Sequence, residues 1–383
     1  MKIPPTLDMI KQLIAIPSIS CNDSKIDQGN QTIIDLLANW CKELGFKCEI
    51  MPLPNYPNKF NLLATLGSGE NGLVLAGHTD TVPYDINSWQ FNPFKLTEQD
   101  NRLYGLGTSD MKAFFALVLT AIEQLLANNL KLQHPITIIA TANEETNMAG
   151  AKALINQHKS SYALIGEPTG LKPIRMHKGI MMEAIILHGK SGHSSNPNLG
   201  NNALEGMYKV IGELLRWRER LQTIYYNSAF QIPIPTMNFG HIKGGDNPNR
   251  ICADCELHID LRPLPGMDLT ELRSTIRQLV NKSLQNTDLD IEFKALFGGI
   301  PAMETPVNSD IVQVTERLTK CPAESVAYAT EAPYLQALGM KTIILGPGDI
   351  EQAHQPDEFI AMNRLQPMID ILTQLIVHYN TIK

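Results

Sequence analysis

Gly72–Pro83 reads GLVLAGHTDTVP, and the reading of this stretch decides the fold. Leu73 to Ala76 are apolar at successive positions, so a strand here buries both of its faces, as interior strands of parallel sheets do. The chain turns polar immediately afterwards, placing His78 and Asp80 at the C-terminal end of that strand. The same pattern recurs three times. ITIIATA, Ile136 to Ala142, is followed by two adjacent glutamates; Ala163–Ile165 is followed by Glu167; Ile343–Leu345 runs into a Gly- and Pro-rich loop holding His354. Asn61–Leu66 is a further short apolar run. Helical spacing of apolar residues occupies Leu7 to Ile14, Asp27 to Leu44, Ala113 to Ala127 and Gln366 to Thr381. Strands alternating with helices predict an α/β core with a largely parallel sheet flanked by helices.

The pattern changes after Lys178. Strands are expected at Ile180–His188, Thr236–Ile242, Ile251–Leu261 and Leu289–Leu296, with helices at Asn202–Leu221 and Leu269–Leu284. This β-α-β-β-α-β order is the ferredoxin-like split motif. The α/β pattern resumes with Ile311–Thr319, so residues 179–297 read as a domain inserted into one formed by residues 1–178 and 298–383.

The 383 residues are 43% hydrophobic and carry a formal net charge of −7. Such a chain buries a sizeable core without disulfides or structural metals. The acidic balance argues against a nucleic-acid partner and gives no attraction to anionic membrane surfaces. Cys21, Cys41, Cys48, Cys252, Cys255 and Cys321 show no framework spacing, which points to a reducing compartment. Cys252 and Cys255 form a CxxC without a second pair, and read as strand residues rather than as a zinc ribbon. The first residues lack an apolar signal core, and no run approaches the roughly 18 apolar residues of a membrane span. A cytoplasmic enzyme is expected.

Each candidate functional residue has an ordinary reading when taken alone. His78 in GHTDTVP is then a hydrogen-bonded strand-end histidine, although His-x-Asp also lets the Asp80 carboxylate orient the imidazole. Asp110 in YGLGTSDMK is then a helix N-cap. Glu144 and Glu145 are then solvated, yet two like charges beside a buried strand call for positive compensation. That favours one as a metal ligand and the other as a proton acceptor. Glu167 in IGEPTG and His354 in GPGDIEQAHQPDEF complete the set. The joint pattern is what matters: acids and imidazoles, without thiolates, converge on one sheet edge, as catalytic rather than closed structural zinc sites require. Two divalent ions are balanced in charge by Asp110, Glu145, Glu167 and one hydroxide.

Together GHTDTVP, GTSDMK, NEET, GEPT, GHSS and AHQPDEF resemble the zinc-dependent M20 family of aminoacylases, dipeptidases and deacylases, in the right order over nearly the whole chain. The resemblance implies a zinc-aminopeptidase-like catalytic domain and an inserted dimerisation domain, hence a homodimer. It implies two metal ions per subunit, expected to be zinc with cobalt or manganese tolerated. Asp110 would bridge them, with Glu145 and His354 on one ion and His78 and Glu167 on the other. Glu144 would be the general acid/base and Asp80 would orient His78. His193 in GKSGHSSNP would donate to the oxyanion in a partner subunit's site. Asn249 and Arg250 in GGDNPNRI, Arg262 in DLRPLPG and Glu331 in ATEAPY are candidate substrate contacts. The implied substrate is a small N-acyl amino acid. Lys178 is the only basic residue after His177 in MHKGIMMEA, where desuccinylases of the family carry an arginine-rich run. That favours acetyl over succinyl, and N2-acetyl-L-ornithine in arginine biosynthesis over a succinylated substrate, a broader acyl-amino acid or a dipeptide.

Overall fold

The computed structural model describes residues 3–129, 131–154 and 160–381. The chain divides into two compact units: Met1–Arg175 with Thr305–Glu324 and Thr330–Lys383, and Met176–Glu304 with Ser325–Ala329. The sequence-based boundaries differ from these by a few residues. They also did not anticipate that residues 325–329 belong with the second unit.

In the first unit, four strands run parallel in the order Ile136–Thr141, Leu73–His78, Tyr162–Ile165 and Lys341–Ile344. Leu73–His78 and Ile136–Thr141 are buried at every position, as their unbroken apolar runs require. The sheet is mixed rather than parallel throughout. Phe60–Leu66 pairs antiparallel with Ile136–Thr141, and Lys47–Pro52 pairs antiparallel with Phe60–Leu66. Lys47–Pro52 gave no sequence signal, because it is an edge strand of mostly exposed residues ending in proline.

The helix Lys112–Ala127 is apolar almost all round and buried along nearly its whole length. Burial of Phe114 and Phe115 contributes roughly 2–3 kcal/mol each. Its first turn passes so close to the strand ends that glycine is needed there. A Cβ on Gly77 would lie 2.2 Å from the Met111 side chain, and one on Gly166 2.2 Å from the Phe114 ring. The helix predicted from Asp27 begins only at Gln31. Asp27 instead accepts the Cys21 N–H at 3.0 Å and the Lys59 ammonium at 2.8 Å, and those contacts hold residues 27–30 outside the helix.

The second unit is a four-stranded antiparallel sheet in the order Thr236–Gly244, Asp254–Arg262, Ile180–His188, Asp290–Ile300. Numbered along the chain, the order is 2-3-1-4, which is the ferredoxin-like arrangement. The helices Ala203–Ile224 and Leu269–Ser283 start at Asn202 and Asp268, whose side chains accept two backbone N–H groups each. The expected strand start at Ile251 moves to Asp254, so Cys252 lies outside the strand and Cys255 within it. All six cysteines are free thiols.

Candidate metal centre

Parallel pairing sets the site. His78 lies opposite Thr141 in register, so the segments leaving those two strands emerge side by side. Asn143 turns the chain in the left-handed region at φ 59°, a conformation asparagine tolerates. The Ser20 hydroxyl donates to its side-chain oxygen at 3.1 Å. Beyond this turn the backbone N–H groups of Glu144 and Glu145 reach the two oxygens of the Asp80 carboxylate, at 3.2 and 3.1 Å. His354 also sits at positive φ, 60°, in the loop after Lys341–Ile344.

Asp110 is central. The helix behind it begins at Lys112 with no side-chain cap bond, so Asp110 does not cap it. One carboxylate oxygen lies 3.0 Å from His78 Nε2 and the other 3.4 Å from His354 Nε2. On the His78 side, Glu167 Oε1 is 3.8 Å from the same Nε2. On the His354 side, the two Glu145 oxygens lie 3.2 and 3.0 Å from its Nε2. His78, Asp110 and Glu145 form a group whose ligand atoms all lie within 4.8 Å of one another.

His78 Nδ1 is 3.0 Å from the Asp80 backbone carbonyl, whereas the Asp80 carboxylate is 3.8 Å away. A carbonyl can only accept, so Nδ1 carries the hydrogen in the neutral ring and the Nε2 lone pair faces the site. The orienting contact expected from the Asp80 side chain is therefore made by its backbone, and the carboxylate is committed to the Glu144–Glu145 turn.

The electrostatics call for cations. Glu144, Glu145, Glu167, Asp110 and Glu331 influence one another's ionisation, with only His78 and His354 among them as positive partners. Burial pushes the Glu144, Glu145 and Glu167 carboxyls up, and neighbouring carboxylates add to the rise. Burial raises Asp110 as well, but the hydrogen bonds from His354 and His78 outweigh it and hold its carboxyl low. His78 is raised by Asp110 and Glu167 against its burial, and His354 is raised to about 10 by Asp110 and Glu145. Glu167 Oε1 is buried without a hydrogen-bond partner, which is costly for a carboxylate oxygen unless a cation meets it. The donor set of carboxylate oxygens and imidazole nitrogens fits divalent zinc-like ions.

Glu331 is 1% exposed; one of its oxygens has no hydrogen-bond partner, and burial raises its carboxyl to about 7. His193, Asn249, Arg250 and Arg262 lie in the second unit. His193 is exposed and takes the Ser195 N–H at Nδ1, 3.2 Å. Asn249 accepts the Ser194 N–H through its carbonyl at 3.0 Å. Arg250 pairs with Asp246 at 2.7 Å and Arg262 with Asp260 at 2.8 Å. Two fully buried ionisable residues beside Asp110 escape sequence reasoning. Lys112 is pushed down to about 7 by burial, and its ammonium donates to the Ile16 carbonyl at 2.8 Å. Glu358, within AHQPDEF, is raised to about 8 by burial against the pull of the Gly107, Asp110 and Ser109 N–H groups.

Among known proteins, the family model described as peptidase family M20/M25/M40 matches residues 74–378. A protein of Pasteurella multocida (strain Pm70) named acetylornithine deacetylase is 51% identical over 383 residues, covering 99% of each chain. One of the same name from Proteus mirabilis (strain HI4320) is 50% identical over 380 residues, covering 99% of this chain and 97% of that one. Among solved structures, the aminopeptidase PepT of Bacillus cereus ATCC 10987 superposes with a TM-score of 0.76 at 19% identity, covering 97% of each chain; at that identity the likeness speaks for the fold. With most of the chain matched by one family model and its whole length by curated relatives, the chain belongs to peptidase family M20/M25/M40.

Proposed function

We propose that this chain hydrolyses the amide bond of N2-acetyl-L-ornithine, giving L-ornithine and acetate, as a step of arginine biosynthesis. The placement of the Asp110 carboxylate between His78 and His354 carries the reading, and the half-identical relatives supply the substrate. In this reading the chain would hold two divalent cations, with Asp110, His78 and Glu167 as the residues for one and Asp110, His354 and Glu145 as those for the other. The ions are zinc, and cobalt substitutes. When bound, they supply a water acidified toward neutral pH and polarisation of the acyl oxygen.

The chain's own groups do the rest. The Asp80 carbonyl fixes the His78 tautomer that offers Nε2. The Asp80 carboxylate holds the turn that aims Glu144. Glu144, its carboxyl raised by burial, accepts the proton of the attacking water and returns it to the ornithine nitrogen as the C–N bond breaks. His193 donates to the oxyanion across a homodimer formed through the second unit, with Asn249, Arg250, Arg262 and Glu331 as substrate contacts. The setting is the cytoplasm, in keeping with the absence, among the described residues, of any helix long and apolar enough to cross a membrane.

The test is acetate or amine release by the zinc-loaded full chain from acetylornithine, acetylmethionine, succinyl-diaminopimelate and a dipeptide. The highest kcat/KM is expected for acetylornithine. A higher value for the dipeptide or the succinyl substrate would overturn the substrate assignment.

A further inference from the structure

Glu358 lies four residues beyond His354 and is 1% exposed. Its carboxylate collects three backbone N–H groups from the loop that ends in Asp110. Oε2 accepts from Gly107 at 2.8 Å, and Oε1 accepts from Ser109 at 2.7 Å and from Asp110 itself at 2.9 Å. The Glu358 carbonyl also accepts the Gly105 N–H at 2.9 Å. A second tie runs through Ser109, whose hydroxyl donates to the Asp349 carbonyl at 3.1 Å and accepts the Asp349 N–H at 3.0 Å.

Successive N–H groups turned toward one point form a concavity that suits an anion. Here an internal carboxylate fills it, and that carboxylate belongs to the loop carrying His354. Asp110 must present one oxygen toward His78 and the other toward His354, so its backbone has little freedom if both distances are to be kept. We propose that Glu358 is a positioning residue for the metal centre: it clamps the Gly107–Asp110 backbone and locks the Asp110 loop to the His354 loop. The reason for an acid here is the number of donors. Two carboxylate oxygens serve three N–H groups, whereas a carboxamide turns its own N–H₂ toward one of them.

This inference rests on the metal-centre reading above, and its test separates the two. Glu358→Gln and Glu358→Asp are compared with the unaltered chain by three measurements: zinc affinity by chelator competition, kcat and KM for acetylornithine, and amide hydrogen exchange at residues 107–110 in metal-free protein. A positioning role predicts exchange at those amides at least tenfold faster in Glu358→Gln, and zinc affinity lowered about 10- to 100-fold, the usual effect of groups that support metal ligands. kcat should fall by a similar factor with KM within about threefold. Thermal midpoints identify any variant that fails to fold, and Glu358→Asp, which keeps both carboxyl oxygens on a shorter stem, should lie between the other two. A folded Glu358→Gln with unchanged amide exchange and zinc affinity overturns the proposal. If the unaltered chain binds zinc but does not cleave acetylornithine, the functional reading fails, while exchange and affinity still decide the role of Glu358.

Discussion

Removing the Asp80 side chain separates two roles for the His-x-Asp pair. If the carboxylate worked mainly through His78, Asp80→Ala would loosen the imidazole and cost metal. The distances point elsewhere: 3.8 Å to the imidazole, against 3.2 and 3.1 Å to the Glu144 and Glu145 N–H groups. A hydrogen bond to a charged group is worth about 1.5–3 kcal/mol, and these two are long enough to take the lower figure. Losing both costs about 3 kcal/mol, or roughly a hundredfold in rate if the turn must be rebuilt for each catalytic event. Asp80→Asn keeps one acceptor oxygen and should lose roughly tenfold. The carbonyl that orients His78 survives both substitutions. The assay is kcat and KM for acetate release, with zinc content measured on the same dialysed samples. kcat should fall in the order native, Asn, Ala with zinc content unchanged. Zinc lost in step with activity, and activity restored by added zinc, would refute the reasoning.

Two further outcomes bear on the acids around the site. Glu144→Gln should lower kcat by about 10²–10⁴, the span of general acid/base catalysis, with zinc content unchanged; near-normal turnover in acetate release removes Glu144 as the proton carrier. Glu331 has a carboxyl raised to about 7 by burial, so its contribution to stability is fully present below its unfolded value and is lost as pH rises through the folded one. Glu331→Gln should therefore match the native chain in unfolding free energy, from urea titration, near pH 4.5 and exceed it at pH 8, by on the order of 3 kcal/mol. A pH-independent difference between the two would contradict the burial account.

The strand ends were legible because burial is written locally. LVLAG and ITIIATA are apolar on both faces, and the first polar residues after them fall at the sheet edge wherever the strands pair in parallel. The flush register of His78 with Thr141 then brings two of the candidate segments together. Lys47–Pro52 was illegible for the converse reason: an exposed edge strand has no apolar face to announce it. Glu358 was illegible for a different reason. An acid in a Gly- and Pro-rich loop has the same local sequence whether water solvates it or three N–H groups about 250 positions away do, and only the tertiary pairing distinguishes the two.

Asp80 shows why a spacing can be read correctly and its atoms misassigned. The two-residue step from His78 brings both the carbonyl and the carboxylate of Asp80 near the imidazole, and sequence cannot say which of them Nδ1 meets. The carbonyl wins at 3.0 Å, which frees the carboxylate for the turn bearing Glu144 and Glu145. Backbone geometry therefore orients the His78 ring whatever side chain stands at position 80, and the requirement for an acid there comes from the turn after Ile136–Thr141, a strand distant along the chain but adjacent in the sheet. The same logic applies at Glu358. At both positions a buried carboxyl group satisfies backbone N–H groups next to a ligand, so two acids shape this centre in addition to those that face it.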